Sequence, residues 1–205
     1  MARYVDLIPN AQREAPEAPS FSVESEIKRA VIEFCRYSGI WRSNRVIETE
    51  AGVSEYRLRT ERGGRVHDVL RVARVRPDGS ESTLLDRVGM AEIGRVISEY
   101  RAYSVNETTG RLVIASTPKS PGQLRVYAKL VPARDSQEFP DFIAEEWQDA
   151  IVQGALWKLL SWSNKPWSSR ERSEDCRRAF YDEATRARQR AATDNWAAPV
   201  RIPRW

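Results

Sequence analysis

The sequence predicts an α+β fold: a helical bundle formed by one N-terminal and two C-terminal helices, with an inserted antiparallel β region of hairpins and extended N- and C-terminal arms. Three observations predict it. Apolar residues recur at helical spacing over 22–38, 140–162 and 169–194. Between 41 and 132 the period shortens towards two and glycine turns punctuate the chain. Prolines break the pattern at both ends, so 1–20 and 195–205 read as extended arms flanking a single domain over 21–194.

Taken in order, Pro9, Pro16 and Pro19 make the opening an arm able to lie on a neighbour. The first helix carries Ile27, Ala30, Val31, Phe34, Cys35 and Ser38 on one face, with Ser22 as the N-cap candidate and Gly39 as the stop. Strands are predicted over 45–49, 55–59 and 66–75, separated by Ala51-Gly52 and Gly63-Gly64. Asp78-Gly79, with a strand on each side, predicts a two-residue hairpin whose turn positions both need positive φ. A short helix is expected near 90–97, then strands over 111–115 and 123–131. In the second of these Leu124, Val126, Ala128 and Leu130 alternate with polar residues until Pro132 ends the run.

Pro140-Asp141 signals the start of the central helix, in which Ile143, Trp147, Ile151, Ala155 and Leu159 run beside Val152, Leu156 and Leu160. The chain turns at Asn164, Lys165 and Pro166. Ser168 and Glu171 then read as a capping box for a last helix with a thin stripe of Cys176, Ala179, Phe180, Ala184, Ala187 and Ala191.

Composition narrows the function. The chain has 205 residues, 41% hydrophobic and 30% charged, with a net charge of +4. No run approaches the ~20 apolar residues a spanning helix needs, so no membrane association is expected. Two cysteines, Cys35 and Cys176, lie far apart without metal or redox spacing and read as small buried hydrophobes in a reduced compartment. The one histidine, His67, stands next to Asp68 in a predicted strand, where neighbours point to opposite faces, so the pair cannot serve one nucleophile. Arg62-Gly63-Gly64-Arg65 lacks phosphate-loop spacing. Glu145, Glu146 and Asp149 could share a helical face as in a metal-dependent nuclease, but without further ligands they read as a solvated face. No catalytic, cofactor or metal residue is predicted, and the expected protein is not an enzyme.

Arginines and aromatics remain. Nine arginines face six acids over 170–205, interleaved along the last helix, a pattern that reads as a solvated face or, alternatively, as the contact of a DNA-binding accessory protein. Seven tryptophans is high for this length. Trp147 and Trp157 differ too much in helical phase for one narrow stripe to bury both. Either one faces a partner or the helix is covered on two sides. Beyond Asn195 the tail cannot be helical. Its Trp196, Pro199, Val200, Arg201, Ile202, Pro203, Arg204 and Trp205 have the residue types of a docking peptide, unless the tail folds back over its own subunit.

Three blocks carry a resemblance to a known family. They are Ala30-Val-Ile-Glu-Phe-Cys-Arg36 running into Ile40-Trp41-Arg42; Gly110-Arg-Leu-Val-Ile-Ala-Ser-Thr-Pro118 followed by Leu124 to Pro132; and Phe139-Pro-Asp-Phe142 through Gly154-Ala-Leu156 to Asn164-Lys-Pro-Trp167. In order and character these resemble the head-to-tail adaptor (connector, neck) proteins of tailed bacteriophages, related to the tubular adaptors of short-tailed phages. The resemblance implies a virion structural protein that forms a homo-oligomeric ring, typically of twelve subunits. Such a ring sits in the virion neck between the portal protein and tail or nozzle proteins, assembles in the host cytoplasm, extends the channel through which DNA passes without sequence recognition, and takes part in genome ejection. A closed ring needs two complementary side surfaces per copy. The helical pair is expected to supply them, with Trp157, Trp162, Trp167, Arg177, Arg178 and Arg186 as candidate inter-subunit contacts, while the arms grip the layers above and below.

Overall fold

The structure, a computed structural model, describes residues 1–60, 62–93, 102–106, 109–115 and 117–193. Its contacts divide the chain into two compact units: Met1–Ile40 together with the chain from Val131 onward, and Trp41–Leu130. The fold is mixed α+β, and the sheet unit is inserted in sequence within the helical one.

In the helical unit residues 1–20 are not an extended arm. A short strand β1 (Ala2–Arg3) leads through a 3-10 turn (Tyr4–Leu7) into helix α1 (Ile8–Gln12), and Tyr4, Leu7, Ala11, Ala15 and Ala18 are all buried. Pro9 lies in the first turn of α1, where its missing N–H would have had no partner. β1 pairs antiparallel with β9 (Glu138–Phe139), and Tyr4 stacks on Phe139 at 5.1 Å. The N-cap of α2 (Ser20–Ser38) is Pro19 rather than Ser22: the Pro19 carbonyl accepts from the Ser22 and Val23 amides, and Ser22 is buried in the first turns. Gly39 ends this helix as predicted, left-handed at φ 61° with its N–H on the Cys35 carbonyl.

Helix α4 (Asp141–Leu160) begins after Pro140 and contains a kink at Trp147, whose backbone (φ −127°, ψ 18°) is not helical. The kink resets the helical phase between the two tryptophans. Trp147 therefore meets Phe34 of α2 at 5.5 Å, while Trp157 meets Phe180 and Tyr181 of α5 (Arg170–Thr193). The start of α5 differs from the predicted capping box: the Ser168 hydroxyl donates to the Lys165 carbonyl and so closes the preceding turn. It is the Ser169 carbonyl that accepts the Ser173 amide.

The three long helices meet at Gly154. A Cβ there would lie 2.6 Å from the Phe180 ring and 3.0 Å from Ala30. Phe34 and Phe180 meet edge to face at 6.1 Å over this point. The alanine stripe on α5 allows the same closeness further along, with Ala184, Ala187 and Ala191 all buried. Glu26, only 1% exposed, is buried in α2. Its Oε1 accepts from Arg29, its Oε2 has no hydrogen bond, and burial outweighs the arginine, so its carboxyl is raised above the usual range.

The sheet unit holds β2 (Arg42–Thr49), β3 (Glu55–Arg57), β4 (Gly64–Val75), β5 (Glu81–Arg87), the short α3 (Met90–Ile93), β6 (Ala102–Asn106), β7 (Arg111–Ile114) and β8 (Gly122–Pro132). The order across the sheet is β2-β8-β4-β5-β6-β7-β3. It is not wholly antiparallel. β6 runs parallel to β5, with Asp86 opposite Ala102, because the chain crosses over between them instead of turning back. Of the helix expected over 90–97, residues 94–97 lie outside the described ones. Strand alternation in β8 holds as read, burying Leu124, Val126, Ala128 and Leu130; the first two join Val69, Val72, Tyr103 and Leu112 in one core. The Asp78-Gly79 hairpin exists, but only Gly79 takes positive φ (81°). The loop is Pro77-Asp78-Gly79, closed by Arg76 N–H to Ser80 C=O at 2.8 Å, with the Asp78 carboxylate accepting the Ser80 amide. The extra residue removes the need for a left-handed aspartate. The Leu130 N–H donates to the Trp41 carbonyl, tying together the two ends of the insertion.

Two outcomes are expected. Gly154→Ala gains about 1 kcal/mol of helix propensity, but it overpacks against an immobile buried ring at a cost of roughly 1–3 kcal/mol or more. A net loss of about 1–2 kcal/mol, seen as a fall in Tm of roughly 2–8 °C, is the expected result of a thermal melt. Glu26→Gln acts the other way. Because the folded-state pKa of Glu26 is raised, ionisation at neutral pH opposes folding. The glutamine variant is therefore the more stable at pH 7, and its advantage disappears as pH falls through the raised pKa to the ordinary carboxylate range, as melts from pH 7 down to pH 4 will read.

Candidate functional site

In the helical unit a cation and aromatic cluster lies on one flank of α5. Trp157 is at its centre: the Lys158 ammonium sits 4.1 Å and the Arg177 guanidinium 5.6 Å from its ring centroid, and Tyr181 packs at 5.7 Å. Tyr37 joins Tyr181 at 5.3 Å, and Arg188 lies over the Tyr37 ring. Glu33 holds the cluster together by accepting from Lys158 Nζ and from the Tyr181 hydroxyl, each at 2.6 Å. Burial pushes the Glu33 carboxyl up, but these two hydrogen bonds outweigh it and hold its pKa below the ordinary value. Burial and the bond to Glu33 push the Tyr181 phenol up to about 12.

The six candidate helix contacts are thus split by the structure. Trp157 and Arg177 meet in this cluster. Trp162 and Trp167 pair with each other at 6.2 Å in the turn between α4 and α5, where the Trp167 Nε1 is enclosed without a hydrogen-bond partner. Arg178 and Arg186 lie elsewhere, each in an exposed i, i+3 pair, with Asp175 and Glu183. These pairs satisfy the helix's own charges, and surface pairs of this kind contribute little to stability. The tail residues Trp196, Pro199, Val200, Arg201, Ile202, Pro203, Arg204 and Trp205 lie outside the described residues.

On the opposite flank of α5 a groove of about 620 Å³ is lined by Glu14, Glu146, Asp149, Arg172, Asp175 and Glu183, among others. Its carboxylates are largely matched: Glu14 by Arg172, Glu146 by Arg190, Asp175 by Arg178 and Glu183 by Arg186. Glu146 is thus engaged by an arginine, which is not the arrangement of a metal ligand. Among the described residues no group of three or more histidine, cysteine, aspartate or glutamate side chains is placed to hold a metal ion. Nor is any described helix long and apolar enough to cross a membrane. Both cysteines are buried, and burial pushes each thiol pKa up, away from reactivity.

In the sheet unit Glu81 bridges Arg71 and Arg125 and accepts from the Tyr127 hydroxyl, while the Arg71 guanidinium lies over the Tyr127 ring at 4.9 Å. At one end of the sheet a concavity of about 390 Å³ is lined by Arg65, His67, Asp68, Arg87 and Lys129, with Val66, Val69, Val105 and Gly110. His67 and Asp68, neighbours on β4, both line it. The start of β4 overhangs the end of β5 at Arg87, so the concavity takes in both sides of the overhang. Asp68 accepts from Arg87 at 2.7 Å, and these lining residues include no hydroxyl or thiol nucleophile. The arrangement can bind an anion but has nothing to attack a substrate.

Two features are not legible from helix and strand periodicity. Phe21, in the first turn of α2, is 76% exposed, and only its place outside the Ile27 to Phe34 stripe could have signalled this. The opening segment carries a usable signal, since Tyr4, Leu7 and Ala11 are spaced by three and four, but Pro9 within it and Pro16 and Pro19 after it masked it.

No curated protein matches the chain. The family described as SU10 adaptor protein matches residues 2–203, a span that takes in both the helical and the sheet unit. With nearly every residue inside that match, the chain belongs to the SU10 adaptor family of phage head-to-tail adaptors.

Proposed function

We propose that this phage structural adaptor works as one copy of a homo-oligomeric ring in the virion neck, of about twelve subunits by the family resemblance, stacked between the portal and the tail proteins. The ring extends the channel through which DNA passes and offers the tail its platform. The observation that carries this reading is the family match over residues 2–203. Two features support it. The three long helices pack around Gly154 and Phe180, which suits a rigid block that can repeat one side contact until the ring closes. The cluster around Trp157 and Arg177 supplies the aromatic and arginine side chains that dominate protein contacts. The tail from Trp196 to Trp205 completes the scheme as a docking peptide for the portal, through Trp196, Val200, Ile202 and Trp205. The ordering cost of each tail is offset by multivalency once the first copy is seated.

The DNA-binding alternative gains little from α5, where Arg177, Arg178 and Arg186 are each paired with an acid three residues before them.

Mass measurement and negative-stain imaging of the chain alone and mixed with portal rings test the proposal. A ring seated on the portal is the expected result; a chain that stays monomeric in the presence of portal removes it. Deleting residues 196–205 is expected to weaken portal association by at least tenfold, on the order of 1.4 kcal/mol or more per copy. Normal association by the truncated chain would rule out the tail as the docking element while leaving the ring itself to be judged by imaging.

A further inference from the structure

The sheet ends in two edge strands of different kinds. β3 is three residues long, whereas β2 runs for eight and contains no proline, no lysine and no register shift against β8. Short length, proline, lysine and bulges are the usual means of closing an edge to further pairing. Which groups β2 presents follows from its register. The Leu130 N–H donates to the Trp41 carbonyl, so Trp41, Ser43, Arg45, Ile47 and Thr49 turn their main-chain groups towards β8. Asn44, Val46 and Glu48 turn theirs outward, and among the described residues no strand pairs with that side. All three are exposed, Val46 at 45%.

We propose that the outer edge of β2 receives residues 198–204 of another copy's tail as an added antiparallel strand. The tail sequence suits pairing on one side only. Successive residues of a strand direct their main-chain groups to opposite sides. Pro199 and Pro203 lack an N–H and share one side with Arg201, while Ala198, Val200, Ile202 and Arg204 keep every donor and acceptor on the other. Such a segment adds to an edge through its main chain and then presents a proline-blocked edge of its own, which stops growth at one added strand. Both prolines also hold the residues before them, Ala198 and Ile202, in the extended region, which lowers the cost of ordering the segment. The length fits, since 198–204 covers as many residues as 42–48. Directly opposed residues of an antiparallel pair share a face, so Val46 gains Val200 or Ile202 as an apolar neighbour. Both of these side chains also serve the portal reading. A tail seated on another copy is thus withheld from the portal, which has to displace it. Only this competition rests on the portal reading; the pairing itself does not.

Sedimentation velocity of the full chain over a range of concentrations tests the pairing. Self-association is expected, and Val46→Pro is expected to weaken it by about tenfold or more. The proline removes an N–H that faces away from β8, so the β2–β8 ladder is kept. Synthetic peptides of residues 196–205 separate the two sides of the tail. The unaltered peptide and one N-methylated at Arg201 are expected to dissociate the copies, and a peptide N-methylated at Val200 and Ile202 is expected to leave them associated. Should Val46→Pro fail to fold by circular dichroism, Val200→Pro in the tail gives the same loss while Arg201→Pro retains association. Three results overturn the proposal: a chain that stays monomeric at every concentration, self-association that survives both Val46→Pro and Val200→Pro, or competition by the peptides that is indifferent to the position of the methyl group. Portal association, measured separately, keeps the two readings apart. Val46→Pro is expected to raise it, because the tails then have no seat on another copy, whereas a chain truncated at 195 that still binds the portal normally counts against the portal reading alone.

Discussion

The helical unit is organised by the absence of a side chain at Gly154. Because no Cβ stands there, the Phe180 ring lies against the α4 backbone and Ala30 of α2 closes from another side. That closeness lets Phe34, Trp147, Phe180, Trp157 and Tyr181 interlock as one aromatic chain across three helices. Dense packing of this kind is stiff, since a ring enclosed by three helices has no alternative rotamer to move into. It also fixes which parts of α5 remain outside: its buried stripe is narrow and alanine-rich, so two broad flanks are left for charge and for contacts.

Charge is distributed differently in the two units. On α5 Arg177, Arg178 and Arg186 each pair with an acid three residues earlier, while Arg172 and Arg190 pair with Glu14 and Glu146 of other segments. At one end of the sheet Arg65, Arg87 and Lys129, from three different strands, line one concavity together with Asp68. Sequence distance obscures this, because Arg65, Arg87 and Lys129 come together only through pairing between strands.

The tryptophans show a related division. Trp147 and Trp157 cannot share a stripe on a straight helix, and α4 is not straight: the kink at Trp147 turns one ring towards Phe34 and leaves the other to Phe180 and Tyr181. Trp157 consequently serves both the packing of the unit and its outer surface, with Lys158 and Arg177 over the ring face that the helices leave open. A side chain in that position gives a partner a rigid aromatic platform at little entropic cost.

By itself the sequence determined the class of the fold, the three long helices and most of the strands. Those features are set by local physics: apolar period, the left-handed stop at Gly39, the break at Pro132 and the start at Pro140 each act within a few residues. Proline rules misled at the beginning of the chain, where Pro9 fits the first turn of α1 and Tyr4 and Leu7 gain burial that outweighs the local bias. Tertiary structure alone decided the parallel pairing of β5 with β6, the kink at Trp147, the division of the six candidate contacts into separate groups, and the meeting of Arg65, Arg87 and Lys129 at one concavity. Each of these depends on which distant segments become neighbours, and a spacing along one strand or helix carries no record of that.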